Sequence, residues 1–350
     1  MSGNYGWGGR DRSDDYSDNY GTGYSGAYRS YNSTSKSSYV RSTNTNPNTY
    51  ADDYSDYVAP ATPVVNVSVV KKVAPTISLD PKGLKLKSTA DNVIIVGLDV
   101  TGSMGEWRQE ILNRLALLYG EAQKYLGNSL EILFIGFGDH RYNDKIEVTR
   151  FGSDKILDSY LASLDLNAWG GGNRVESPEM VAAYVATSVD TSSAKNVYFY
   201  LITDEGIDTN IDANAFKNLF GECEQIPADT KKTFESLFIR MKVFCVFAIT
   251  NSYGTDATDS IRAEWDNMLG KQRVLALDDS RRVVDVMLGS LSKTVGKYDT
   301  FTADLNTRQG GTVYGDVNIA TVHKTIALVD DGSPATPKLP SGGGTKRLLP

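Results

Sequence analysis

Three short stretches carry the oxygen-bearing residues from which a site could be built. The first is Asp99-Val100-Thr101-Gly102-Ser103-Met104-Gly105, where a carboxylate and two hydroxyls alternate at i, i+2 and i+4. A tight loop can aim such an alternation at one point, and oxygen-only ligands suit a hard divalent cation such as Mg2+. The second is Trp169-Gly170-Gly171-Gly172-Asn173-Arg174-Val175-Glu176-Ser177-Pro178-Glu179, with small residues for close backbone approach and several oxygen donors. The third is Leu201-Ile202-Thr203-Asp204-Glu205-Gly206, with Asp204 at the end of an apolar run. Each has a plainer reading. Asp99, Thr101 and Ser103 can shape a turn and cap a helix through local hydrogen bonds. Ser177 before Pro178 is a natural N-cap. Asp139-His140 can belong to a loop ion pair with a nearby Lys or Arg. Cys245, inside Val-Phe-Cys-Val-Phe, reads as a small core residue. Cys223 lies among carboxylates, which raise a thiol pKa and disfavour a nucleophile.

The elements that must position these loops follow from apolar periodicity. Val93–Leu98 is a continuous apolar run, as a parallel strand buried on both faces requires. Trp107, Ile111, Leu115, Leu118, Ala122 and Leu126 then recur at helical spacing. Leu130–Phe137, Val197–Ile202, Val243–Ile249 and Val274–Leu277 read as further strands, and Ile146–Phe151 as a short antiparallel edge. Helices are predicted over Ile156–Leu164, Ser177–Ser188, Ala213–Phe220, Thr230–Ile239, Ser260–Leu269 and Ser280–Val295, the last capped by Ser280. The alternation predicts an α/β fold: a doubly wound, mostly parallel sheet with helices on both faces. Ligands of such sheets bind beyond the carboxyl ends of the strands, where all three loops fall. Val313–Val329 alternates and reads as two edge strands, with His323 on a surface strand.

Composition bounds the rest. The chain has 350 residues and a net charge of −7. The first ninety residues are slightly basic, so the acidity lies in the remainder. That remainder is a poor binder of nucleic-acid phosphates and of anionic membranes. Apolar runs reach about seven residues, as in Val243–Ile249, far short of the ~20 that span a bilayer. No apolar leader follows Met1, and two cysteines make no disulfide framework. The expectation is a cytoplasmic protein. Residues 1–57 hold ten of the twenty tyrosines in a Gly, Ser, Asn, Asp and Thr background. Such a segment buries too little apolar area to offset its ordering entropy, and its spaced aromatics suit weak self-association. A Val- and Pro-rich linker follows, with a strand or docking peptide possible at Val64–Val73. Residues 76–87 read as a hairpin or lead-in strand with a Pro-Lys-Gly turn. The expected organisation is a tail and linker over 1–76, a main domain over 77–297, an extension over 298–332 and a flexible tail over 333–350. Ser341 to Lys346 lacks the Gly-Lys-Ser/Thr order of a phosphate loop.

Asp99-x-Thr101-Gly102-Ser103-Met104, a Gly-rich loop about 70 residues later and Thr203-Asp204-x-Gly206 about 105 residues later resemble the von Willebrand factor A domain family. The resemblance spans roughly residues 91–297. Members carry a metal-ion-dependent adhesion site in which an Asp-x-Ser-x-Ser loop, a Thr and an Asp bind Mg2+ or Mn2+. The resemblance implies Asp99, Thr101, Ser103, Ser177 and Asp204 as metal ligands here, Thr101 keeping the hydroxyl of the first Ser. The form is most similar to the intracellular branch that includes the domain attached to alpha-kinases, to which Phe134-Ile-Gly-Phe137-Gly-Asp139-His140 is also similar. That branch usually reads Gly-Gly-Asp/Thr-x-Pro-Glu in the second loop. This chain inserts Asn-Arg-Val-Glu, so the second-loop ligand stays open between Ser177 and Asn173. Asn173, Asp139 and Glu205 are the further candidate binding residues.

The resemblance implies a metal-dependent protein-binding module, not an enzyme, completed by a partner's Asp or Glu. Intracellular relatives act as scaffolds or as adaptors for ATPase machines, which makes an ATPase or assembly machine a candidate partner. A second class is a structural protein assembled through its Tyr-rich tail, with a vestigial metal loop. A third is a phosphohydrolase, because Asp99-Val-Thr101-Gly102-Ser103 is also similar to the Asp-Lys-Thr-Gly-Thr loop of aspartyl-phosphate enzymes. Against that third class, Val100 follows Asp99, the acid/base Asp two positions on is missing, and the acidic motif Gly138-Asp139…Asp144 arrives too early.

Overall fold

The computed structural model describes residues 78–250 and 252–330. The Tyr-rich segment, the Val64–Val73 stretch and the C-terminal tail lie outside the described residues.

The chain enters through a turn at Pro81-Lys82-Gly83, closed by the Leu84 N–H donating to Pro81 O at 2.9 Å. Strand β1 (Leu86–Lys87) follows. It makes no hairpin; it pairs in parallel with the distant β5 (Val189–Asp190). The main strands are β2 (Asn92–Asp99), β3 (Leu130–Phe137), β4 (Glu147–Val148), β6 (Asn196–Thr203), β7 (Lys242–Ala248) and β8 (Val274–Leu277). Their order is β4-β3-β2-β6-β7-β8, with β4 antiparallel to β3 and all other pairs parallel. The chain leaves β2 towards β3 and β4, then returns to its other side at β6. The result is mixed α/β, a mostly parallel sheet flanked by helices.

Side-chain alternation along the strands divides the core in two. Ile94, Val96 and Leu98 of β2 join Tyr198, Tyr200 and Ile202 of β6 in one apolar cluster. Val93 and Ile95 join Val197, Phe199 and Leu201 in the other. Both faces of β2 and β6 are thus dry, which is why these strands are continuous apolar runs. The first cluster is covered by α1 (Trp107–Leu126) and α2 (Ile156–Ser163). The second is covered by α3 (Pro178–Ser188), α4 (Ala213–Phe220), α5 (Thr230–Phe238) and α6 (Thr255–Leu269). Helix α6 starts earlier than its apolar pattern suggests, just after Gly254. Helices α7 (Val283–Thr294), α8 (Tyr298–Gln309) and α9 (Val313–Thr325) return to the first cluster.

Two local expectations fail. Val313–Val329 forms helix α9 and a following turn, not strands. Thr312 caps it by accepting the Gly315 N–H at 3.0 Å, and Ile319, Val322 and Ile326 bury at helical spacing while Val313 and Val317 stay exposed. His323 therefore rides on a helix, where Nδ1 meets the Tyr298 hydroxyl at 2.6 Å. Ser280 does not cap α7. Ser280–Arg282 is one 3-10 turn, and the Asp279 side chain caps it by accepting the Arg281 N–H. Ser280 lies inside that turn, and the N-cap position of α7 falls to Arg282, which makes no side-chain cap bond.

Candidate metal centre

The candidate site forms where β2 and β6 end side by side. Asp99 is the last residue of β2 and Thr203 the last of β6. Asp99 is fully buried, and its carboxylate is held from both sides. Oδ1 accepts the Thr101 N–H at 2.9 Å and the Thr101 hydroxyl at 2.6 Å. Oδ2 accepts the Thr203 hydroxyl at 2.7 Å. Thr101 Oγ1 lies 3.1 Å from Ser103 Oγ, and Ser103 donates to Asp204 Oδ1 at 2.8 Å. The Thr250 hydroxyl, just past β7, donates to Asp204 Oδ2 at 2.7 Å. Asp99, Thr101, Ser103 and Asp204 therefore form one hydroxyl-linked oxygen cluster.

The second loop packs against this cluster and is held at several points. Asp144 accepts the N–H groups of Asp139, Trp169 and Gly170 at 3.1, 3.0 and 2.8 Å. Gly170, at φ +66°, lies so close to Thr101 that a Cβ there would sit 3.2 Å from Thr101 Cβ and 2.8 Å from Glu176 Oε1. Val175 bridges in parallel to Gly206, whose N–H donates to Arg174 O at 2.9 Å.

The remaining expected residues group elsewhere. Ser177 makes no cap bond with its side chain; its hydroxyl accepts the His140 N–H at 2.9 Å and lies 2.7 Å from His140 Nδ1. Asn173 Nδ2 donates to Asp139 Oδ2 at 3.0 Å. Asp139, fully buried, pairs with Arg141 at 2.7 Å, the loop ion pair expected from the sequence. Arg141 also reaches Asp208 and Val175 O, each at 2.7 Å. Ser177, Asn173 and Asp139 thus form a second group beside the Asp99 cluster. Glu205 flanks the cluster. Its Oε1 accepts the Tyr253 hydroxyl, and its carbonyl accepts Trp265 Nε1 at 2.7 Å. Sequence reasoning missed Thr203 and Thr250 as hydroxyl donors, and Glu176 as the second-loop acid nearest the cluster.

The electrostatics are those of acids crowded in a dry place. Burial, then the neighbouring Asp204, pushes Asp99 upward from the carboxylate range. Burial raises Asp204 and Glu205 as well. Glu176 is raised by burial, then by Asp99 and Glu205. Burial and the Arg141 charge lower His140.

Among the described residues no three His, Cys, Asp or Glu side chains form a metal-holding group by themselves. The cluster is of another kind, two carboxylates joined through two hydroxyls. Its donors are all oxygen, the chemistry Mg2+ and Mn2+ prefer. Carboxylates raised by burial, Asp99 also by the charge of Asp204, fit a position for a cation.

Among the described residues no helix is long and apolar enough to cross a membrane. No family model matches the chain, and no curated protein matches it. Solved structures to which it is similar include the pilus adhesin SpaC from Lactobacillus rhamnosus GG in an open conformation, at 14% identity and TM-score 0.41, covering 61% of this chain and 31% of that one. Proximal thread matrix protein 1 from the mussel byssus matches at 10% identity and TM-score 0.41, over 60% of this chain and 49% of that one. A point mutant of the PilB minor pilin from Streptococcus sanguinis matches at 12% identity and TM-score 0.41, over 61% of this chain and 63% of that one. The chain spans less than two thirds of the length of each.

Proposed function

We propose that this chain is a divalent-cation-dependent protein-binding module, with a doubly wound domain of the von Willebrand factor A type and Mg2+ or Mn2+ as its cofactor. Asp99, Thr101, Ser103 and Asp204 are the residues that would hold the cation. The observation that carries the reading is the unbroken run of hydrogen bonds from Asp99 through Thr101 and Ser103 to Asp204. The reversal of strand order between β2 and β6 supports it, because ligands of open α/β sheets bind at such a point. A bound cation would offer a coordination position to a partner's Asp or Glu carboxylate. Thr203 and Thr250 orient the two acids from behind, as outer hydrogen bonds do around metal sites.

A binding role fits Asp99 better than nucleophilic catalysis. Its two oxygens accept three hydrogen bonds and it is fully buried, which leaves a poor nucleophile. The partner class is a protein with an exposed acidic side chain, an ATPase or assembly machine among the candidates. A cytoplasmic setting belongs to the same reading and is supported by the free thiols of Cys223 and Cys245.

The test is calorimetric titration of the full chain with Mg2+ and with Mn2+, with Asp99→Ala as control. Saturable binding lost in the variant is expected, and it justifies a pull-down comparing metal with chelator. No binding at millimolar metal, or binding that survives Asp99→Ala, would sink the proposal.

A further inference from the structure

Glu176 is fully buried, yet no N–H or hydroxyl donates to either of its carboxylate oxygens, and the side chain within hydrogen-bonding reach is another acid, Glu205. Glutamate is almost never fully buried unless paired, and a buried polar group without a partner calls for a specific cause. Its backbone leaves little freedom to turn away. Arg141 donates to the carbonyl of Val175, and Val175 itself is bridged to Gly206. The side chain runs back over Gly170, where one added methyl would touch both Glu176 Oε1 and Thr101 Cβ. Gly170 thus touches both this acid and Thr101, the residue that links Asp99 to Ser103. Of the other oxygen-bearing side chains of this stretch, Ser177 and Asn173 are engaged with His140 and Asp139, and Glu179, buried on α3, faces His140 Nδ1 at 3.9 Å.

From this geometry we infer that Glu176 is the chain's own carboxylate for the divalent cation, taking from the Gly-rich loop the position a partner's acid would otherwise fill. The inference rests on the cation-binding reading of the Asp99 cluster and deepens it. The site then closes on itself and binds the cation without a partner. A partner's carboxylate enters only by displacing Glu176, so the Gly170-Gly171-Gly172 segment regulates access. The competing account makes Glu176 a protonated structural acid beside Glu205, whose Oε2 is also without a partner.

The experiment follows Mn2+ binding to the full chain by calorimetry and by water-proton relaxation, in the unmutated protein, Glu176→Gln, Glu176→Asp and Asp99→Ala. Glu176→Gln is expected to weaken Mn2+ at least tenfold. At saturating Mn2+ it should also raise the relaxation enhancement, because water fills the vacated position. Glu176→Asp, with a shorter arm, should fall between the two and serves if the Gln variant melts early. Mn2+ binding and relaxation unchanged in the Gln variant, or in Glu176→Asp if that is the variant that folds, overturn the role of Glu176 while leaving the Asp99 cluster standing, provided Asp99→Ala still loses the metal. Absence of saturable binding in the unmutated chain overturns both.

Discussion

The Ser103 hydroxyl donates to Asp204 Oδ1 at 2.8 Å, across 101 positions of sequence. It is a direct side-chain link between the loop after β2 and the loop after β6. Ser103→Ala removes it without removing a carboxylate. The expected cost in urea unfolding is about 1 kcal/mol, the usual net worth of such a bond. On the cation-binding proposal the same substitution removes a hydroxyl that would hold the metal, so Mn2+ affinity in calorimetry should fall by more than the stability does. Equal Mn2+ affinity in Ser103→Ala would remove Ser103 from the site.

The acids of the cluster also set a dependence on pH. Burial and Asp204 raise Asp99 from its ordinary 3.8 to about 7. The folded chain therefore holds this proton more tightly than the unfolded chain. The stability it contributes is complete below about pH 4 and is lost as pH rises through about 7. Asp204, Glu205 and Glu176 are shifted in the same direction. In chelator, unfolding free energy should decline from about pH 5 to about pH 8. Saturating Mn2+ should flatten that slope, because a cation held there would bind the deprotonated acids. Asp99→Asn should shallow it in chelator. A slope that rises with pH in chelator, or one indifferent to Asp99→Asn, contradicts the assignment.

Arg141 pairs with a further buried acid. It pairs with the fully buried Asp139 at 2.7 Å and with Asp208 at 2.7 Å. Arg141→Ala leaves Asp139 buried with Asn173 as its remaining side-chain donor. Removing one member of such a pair costs about 3 kcal/mol, far more than losing an exposed pair. It also frees the Val175 carbonyl that precedes Glu176. Thermal and urea melts should show the loss at neutral pH. A change under about 1 kcal/mol, the range of exposed pairs, would mean that solvent replaces Arg141.

Much of this architecture is legible in the chain, and the illegible parts have physical causes. Val93–Leu98 and Val243–Ile249 announce themselves because both faces of β2 and β7 are dry. Asp99 and Asp204 are readable for the same reason, as the first polar groups after or near the end of such runs. Thr203 and Thr250 are not, because a threonine at a strand end is common and its partner lies on another strand. Glu176 sits in a polar insert where an acid looks solvated. Its burial arises from the Val175–Gly206 bridge and the bare backbone of Gly170, both products of tertiary packing. Helix α9 is obscured because its exposed Val313 and Val317 mimic the period of a strand, while the helical spacing of Ile319, Val322 and Ile326 extends into the turn beyond.

The position of the Gly-rich loop depends on Asp144 and, behind it, on Gly138. Asp144 accepts three backbone N–H groups, two of them from Trp169 and Gly170. A Cβ at Gly138 would sit 2.6 Å from Asp144 Oδ2, 2.9 Å from Asp144 Cβ and 2.8 Å from Ala168 Cβ. No bond rotation of Asp144 removes the clash with its own Cβ, so Gly138→Ala must move the whole residue. Asp144→Ala removes the same anchor without the clash, at a cost of about 2 kcal/mol for charge-assisted bonds that are partly exposed. Both variants should speed hydrogen exchange at the Trp169 and Gly170 amides by roughly tenfold or more while leaving β2 and β6 protected. If Glu176 holds the cation as inferred, both should also weaken Mn2+, because Gly170 touches both Glu176 and Thr101. If exchange accelerates and Mn2+ affinity holds, the loop is anchored as described and takes no part in holding the cation.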